Sequence, residues 1–296
     1  MRSTISNSYI TAEIDSFGAE LRSIVRNEDK KEYMWEADPK FWGKTSPILF
    51  PAIGKFYEGV YRISGKEYEM TKHGFARDRE FEIAEQSEDR IVYRLRSDEK
   101  TLSVFPYEFE LKVEYLLEEG SIREIWHLQN LSKETCFFAF GGHPAFSTMG
   151  DRNDASVRIY SRSPLEKAIC SEINVKTGYL TGKKYEVPME KDLIKIEDHI
   201  FDNDALVLEK QGVLAAGIVD KDGEEIIRLE APTCPVWGIW SVADPGAKYI
   251  CIEPWWGICD EDGYKGDIEK HPYINKVPAG RTWTEGFRLV PNLAHK

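Results

Sequence analysis

No run in this 296-residue chain approaches the ~18 apolar residues that a membrane helix needs. The opening residues, MRSTISNSYITAEIDSFG, lack the apolar segment of a secretory signal. A cytoplasmic location is therefore expected, with no membrane partner. Cations are in deficit: Lys and Arg number 39 against 51 Asp and Glu, a formal charge of −12. An acidic surface repels phosphate backbones, so nucleic acid is not an expected partner. Histidines number six and cysteines five. Cys136, Cys170, Cys234, Cys251 and Cys259 are odd in number, form no CxxC pair and show no zinc spacing. They read as buried thiols in a reducing compartment, with neither disulfide nor metal. The chain contains no GxGxxG, GxxxxGK[ST], HExxH or GxSxG motif.

What is abundant is alternation of period two, the mark of half-buried strands. FELKVEYLLEEG puts Phe109, Leu111, Val113 and Tyr115 on one face and Glu110, Lys112 and Glu114 on the other. A turn at Glu119-Gly120 returns the chain as SIREIWHLQN. REFEIAEQSEDRIVYRLRSD reads as a second hairpin. VLAAGIVDKDGEEIIRLEAP reads as a third, turning at Lys221-Asp222-Gly223. GRTWTEGFRLVP alternates at the end of the chain. Helical patterns are scarce; SPLEKAICSE and the region of Asp192-Leu193 are the places for a turn or two. Sequential hairpins without helices point to an all-β fold, a large antiparallel β-sandwich. An aromatic content of 12% suits pleated surfaces of that kind. No linker divides the chain, so residues 1–296 read as a single domain.

Three settings hold unusual polar residues. His143 lies in FAFGGHPAFS, where Gly141 and Gly142 allow close backbone approach and Pro144 fixes the chain behind it. His73 lies in KHGFARDREFE, just before a hairpin. Either histidine can face a cleft, or can be a satisfied core or turn residue. Glu253 lies in YICIEPWWGICD, an otherwise apolar strand. A buried carboxylate there needs a partner or a use, and desolvation beside tryptophan raises its pKa toward the range of a general base. The alternative is an edge-strand glutamate facing water. Trp255 beside it suits an aromatic platform for a sugar ring. Asp198, Asp202 and Asp204 in EDHIFDNDALVL can reach a hydroxyl or line a solvated loop. Lys55 and Arg77 can contact sugar oxygens or a phosphate, or be surface charges. Trp237 and Trp240 read as core.

The segments PILFPAIGKF, KHGFARDREFE, FGGHPAF, FDNDALVL and CIEPWWG occur in that order along the chain. Together they resemble the aldose 1-epimerase (galactose mutarotase-like) superfamily, and within it the LacX-like branch. The resemblance spans about residues 5 to 290 and implies a β-supersandwich, in keeping with the alternation. It implies a cofactor-independent isomerase that interconverts the α and β anomers of a hexose. In that reading Glu253 is the general base, His143 the general acid, and His73 a ligand of sugar oxygens. Asp204 binds sugar hydroxyls, with Asp202 as the alternative two residues away. Typical galactose mutarotases carry an Asn-Arg pair where this chain runs GKFYEGVYRI; Lys55 or Arg77 is expected to take over the cationic role, and galactose specificity is not carried over. No metal is expected, and a homodimer stays open.

Other readings keep the same residues. A non-catalytic carbohydrate-binding sandwich needs the aromatic platform but not the Glu253–His143 pair. A hexose-6-phosphate mutarotase shares HGFAR. A glycoside hydrolase or lyase would work through two carboxylates such as Glu253 and Asp204. A structural or regulatory protein would keep the fold alone.

Overall fold

The computed structural model describes residues 1–294. Two large antiparallel sheets carry the architecture. The first has nine strands in the order Leu193–Lys195, Ser156–Ser161, Val213–Val219, Glu225–Glu230, Thr282–Pro291, Ser121–Asn130, Phe109–Glu118, Arg90–Arg96 and Glu82–Gln86. The second runs Leu180–Pro188, Lys167–Ile173, Leu206–Glu209, Val236–Trp240, Tyr249–Trp256, Phe140–Gly142 and Ile48–Leu49, with Ala145–Ser147 also paired to Tyr249–Trp256. A three-stranded sheet, Arg2–Ser6, Ile10–Asp15 and Glu20–Arg26, adds a further layer at the N-terminal end. This is the antiparallel β-sandwich that the alternation implies.

The alternation translates directly into burial. Phe109, Leu111, Val113 and Tyr115 are fully buried, each such side chain worth about 1.5–3 kcal/mol of hydrophobic stabilisation. The opposite face of the same strand carries ion pairs, Glu110 to Arg96 at 2.8 Å and Glu114 to Arg90 at 2.6 Å. All three hairpins form with the expected strands paired. Gly223 takes φ +84° in the third turn, where a side chain would be strained.

Two regions read as places for a turn of helix are strands instead. Lys167–Ile173 pairs along both edges, and Leu193–Lys195 closes the end of the nine-stranded sheet. Ala168, Cys170 and Ile173 bury their side chains there, and that burial outweighs the helix-forming Leu-Glu-Lys-Ala start. The α-helix Glu99–Val104 is short and held by a capping box between Asp98 and Thr101.

The eight-stranded sheet positions the chemistry. Its strand Tyr249–Trp256 is central and buried throughout, so Glu253 is not on an edge. Gly238 faces Glu253 on one neighbouring strand. On the other side Phe140–Gly142 and Ala145–Ser147 pair with it, and His143-Pro144 is the break between them. Backbone bonds fix that break: His143 donates to the Pro47 carbonyl at 3.0 Å, and Ile252 donates to that of Pro144 at 3.2 Å.

Candidate active site

Glu253 and His143 meet across this break. His143 Nε2 lies 3.2 Å from Oε2 of Glu253. The indole N–H of Trp255 donates to the same oxygen at 3.2 Å. Both groups line a cavity of about 180 Å³, with Trp42, Ile53, Lys72, His73, Arg77, Asp204, Trp240, Trp255 and Cys259 in its wall. Drug-sized ligands occupy roughly 300–1,000 Å³, so this hollow suits something as small as a monosaccharide. A larger hollow of about 450 Å³ opens along Leu180–Pro188. Its charged groups are exposed, and Lys195 pairs with Glu190 and Glu186 with Lys167. It holds no comparable convergence.

His143 is enclosed by rings. Trp42 stacks on it at 4.8 Å, Trp240 meets it edge-on at 5.6 Å, and His73 crosses it at 5.8 Å. Burial therefore dominates its charge state, and the imidazole pKa falls to about 3, with Lys72 and Arg77 pushing the same way. Burial likewise raises the Glu253 carboxyl well above its ordinary value, helped by Asp204 and opposed by Trp255 and Lys72. The 3.2 Å contact is an ion-pair distance, but desolvation opposes charge on both partners. The pair thus favours one shared proton resting on Glu253 and a neutral His143.

His73 is held differently. Its backbone has φ +66°, followed by Gly74 at φ +74°. A Cβ on Gly74 would sit 2.1 Å from the Phe50 carbonyl oxygen, so only glycine fits. His73 donates its backbone N–H to the Gly54 carbonyl at 2.8 Å, and Gly54 donates back to Nδ1 at 3.1 Å. Because Nδ1 accepts, the neutral ring carries its proton on Nε2 and has one donor to offer. Desolvation, with His143 next, keeps this ring neutral as well.

The glycines before His143 serve packing rather than ligand approach. A Cβ on Gly141 would press on the Pro254 carbonyl at 2.9 Å, and one on Gly142 on the Phe287 ring at 2.8 Å. Gly238 similarly makes room for the Trp255 ring, whose Cζ2 would lie 2.7 Å from an added Cβ.

The three aspartates separate. Asp204, at φ +68°, is in the cavity wall, and its Oδ1 accepts the N–H of Ala205 at 2.8 Å. Asp202 is exposed and paired with His199 at 2.8 Å. Asp198 accepts from Asn153 at 2.7 Å. Arg77 lines the cavity, but Lys55 does not; its ammonium donates to the Thr177 carbonyl at 3.2 Å, beside Gly178 of the rim. The cation beside Arg77 is Lys72, which the sequence reading passed over. Trp240 is half-buried in the cavity wall rather than in the core, because the strand's alternation turns it away from Trp237 and Ile239. Trp42 also escaped notice, since it sits in a long loop without period. All five cysteines are buried and unbridged.

A family model described as aldose 1-epimerase matches residues 1–286. The chain belongs to the aldose 1-epimerase family. It is 27% identical over 284 residues to the chromosomal LacX protein of Lactococcus lactis subsp. lactis, covering 92% of this chain and 93% of that one. A galactose mutarotase related enzyme from Lactobacillus acidophilus superposes with a TM-score of 0.90 at 30% identity, covering 99% of this chain and 97% of that one. A galactose mutarotase-like protein from Lactobacillus casei ATCC 334 gives 0.91 at 28% identity, covering 99% and 100%. These likenesses place the chain in the galactose mutarotase-like superfamily and its LacX-like branch. Among the described residues, no helix is long and apolar enough to cross a membrane.

Proposed function

We propose that this protein is an aldose 1-epimerase that interconverts the α and β anomers of a hexose by opening and reclosing the ring. The observation that carries the reading is the carboxyl–imidazole contact of Glu253 and His143, at 3.2 Å, in the wall of a sugar-sized cavity.

Ring opening removes a proton from the C1 hydroxyl and delivers one to the ring oxygen. A pair holding one proton between its two members can do both. Glu253, as carboxylate, takes the hydroxyl proton, and His143, as imidazolium, protonates the ring oxygen as the C1–O bond breaks. Rotation about C1–C2 presents the other carbonyl face, and reclosure reverses the roles. Burial places the shared proton on Glu253, so it first crosses 3.2 Å to His143. Trp255 favours that transfer because its hydrogen bond stabilises the carboxylate, whereas Lys72 lowers the proton affinity of both partners. His73 Nε2–H and Asp204 orient sugar oxygens, Arg77 and Lys72 add positive potential, and Trp42, Trp240 and Trp255 present ring surface. No step calls for a redox or group-transfer cofactor.

Each positioned acid or base typically contributes about 10²–10⁴-fold. Glu253→Gln and His143→Ala should each lower anomer exchange by at least about 100-fold with the fold intact. Polarimetry of fresh α-anomer solutions measures this, and a wild-type rate in either variant rules out the assignment. Sugar binding without rate acceleration in the wild type would favour the carbohydrate-binding alternative. A panel of free and 6-phosphorylated sugars, followed by exchange NMR, names the substrate and tests the hexose-6-phosphate alternative.

A further inference from the structure

Three donor atoms of different chemistry converge where His143 and Glu253 line this cavity. His143, Cys251 and Glu253 each offer one, and all lie within 4.8 Å of one another. Cys251 and Glu253 alternate on the strand Tyr249–Trp256, so their side chains leave the same face. Ala145, two residues past His143, is the register partner of Cys251. The thiol packs among Trp35, Ala145, Ala247 and Tyr249, and Tyr249 in turn packs near Trp42, which stacks on His143. Cys251 has no part in the proton transfers proposed above.

We propose that these three residues form an inhibitory site for a thiophilic divalent cation, with Zn²⁺ as the fitting ion. Zinc prefers nitrogen, sulfur and oxygen donors at about 2.0–2.3 Å in a tetrahedral arrangement, which sets the donors roughly 3.3–3.6 Å apart. The imidazole and carboxylate already stand 3.2 Å apart. The sulfur needs roughly 1 Å of approach, within reach of a side-chain rotation. The fourth position faces the cavity and takes water or a sugar hydroxyl.

Charge supports the same assignment. Among the described residues, no Lys or Arg forms an ion pair with Glu253, whose one ion-pair partner is His143. A dication bound to one carboxylate and one thiolate gives a complex with no net charge, which suits three buried donors. Binding releases the Glu253 carboxyl proton and the Cys251 thiol proton to solvent, and the imidazole binds as the neutral ring. Lys72 and Arg77 at the wall oppose entry of a free cation, and Asp204 favours it. The bound ion occupies both proton-transfer groups, so it acts as an inhibitor rather than a cofactor.

The test uses the full-length protein after chelator treatment, titrated with Co²⁺ as a spectroscopic stand-in for Zn²⁺. The expected result is one equivalent bound, with a thiolate-to-cobalt charge-transfer band. Zn²⁺ should displace the Co²⁺. Cys251→Ser and Cys251→Ala should lose the band and at least roughly tenfold in affinity. Cys259→Ser, which changes the thiol that lines the cavity, should keep both. Near-UV circular dichroism shows that each variant is folded. Absence of a thiolate band in the wild type, or its survival in a folded Cys251 variant, overturns the proposal. A second readout is activity: Zn²⁺ should suppress anomer exchange in the wild type and spare Cys251→Ala, whose metal-free rate matches wild type. Metal binding stands or falls without any isomerase assay. Metal-free anomer exchange decides the proposed function separately.

Discussion

The indole N–H of Trp255 and the carboxylate of Glu253, two residues apart on one strand, are joined at 3.2 Å. Alternation puts both on the cavity face, and Gly238 leaves the space for the indole. A hydrogen bond to a charged acceptor stabilises the carboxylate form, so Trp255 works against the burial that protonates Glu253. Trp255→Phe keeps ring area and removes the donor. Hydrogen bonds to charged groups contribute about 1.5–3 kcal/mol, roughly a tenfold change or more. The plateau rate should therefore fall about tenfold, and the alkaline limb should move to higher pH. An unaltered pH–rate profile would show that the indole only fills space.

His73 combines a structural contact with the sugar-binding role proposed for it, and one substitution can separate the two. Its Nδ1 and backbone lock the 54–73 crossing, while its Nε2–H is the donor available to a sugar. Asparagine tolerates positive φ and its carbonyl oxygen can accept from Gly54, but it does not extend as far as Nε2. His73→Asn should keep the thermal midpoint near wild type and raise KM about tenfold, a loss of roughly 1.4 kcal/mol. His73→Ala should lose stability as well. If His73→Asn leaves KM and kcat untouched, the ring is a structural lock alone.

Legibility in the sequence followed the length of each signal. The hairpin Phe109–Glu118 and Ser121–Asn130 has ten residues a side and a turn, so its period is unmistakable. Ile48–Leu49, Phe140–Gly142 and Ala145–Ser147 have two or three residues and carry no period. Phe140–Gly142 and Ala145–Ser147 exist because the central strand supplies their hydrogen-bond partners, and Ile48–Leu49 pairs in turn with Phe140–Gly142. Glu253 stood out as a charge among apolar residues, and His143 by its Gly-Gly and Pro neighbours. Trp42 and Lys72 did not, because their place in the cavity depends on loops from distant parts of the chain. The purpose of Gly141 and Gly142 was also hidden, since the Pro254 carbonyl and the Phe287 ring that crowd them are remote in sequence.

Asp204 and Asp202 are two residues apart but occupy different environments. Asp204 faces the cavity, and Asp202 pairs with an exposed histidine. Asp204→Asn should raise KM about tenfold or more, because a charge-assisted hydrogen bond to a sugar hydroxyl becomes a neutral one. It also removes a negative charge that raises the Glu253 pKa, so the alkaline limb should shift to lower pH. Asp202→Asn should change neither. Steady-state kinetics across pH distinguishes the two, and equal effects would undo the assignment of Asp204.

Glu124 provides a stability test away from the cavity. It is buried in the nine-stranded sheet, accepts from the Trp126 indole at 2.8 Å and has the Tyr115 hydroxyl beside it. Burial pushes its carboxyl up to about 8. A carboxyl raised in the folded state stabilises the fold while protonated. That contribution is complete below the unfolded value of about 4.3 and declines as pH rises through 8. Glu124→Gln keeps the size and remains neutral. At pH 5 it should lie within about 1 kcal/mol of wild type, and between pH 5 and pH 9 the difference should move by about 4 kcal/mol in favour of the variant. Other ion pairs titrate alike in both proteins, so the difference between them isolates Glu124. Denaturant unfolding at the two pH values measures it, and a difference that does not change with pH would mean that Glu124 is ionised in the fold.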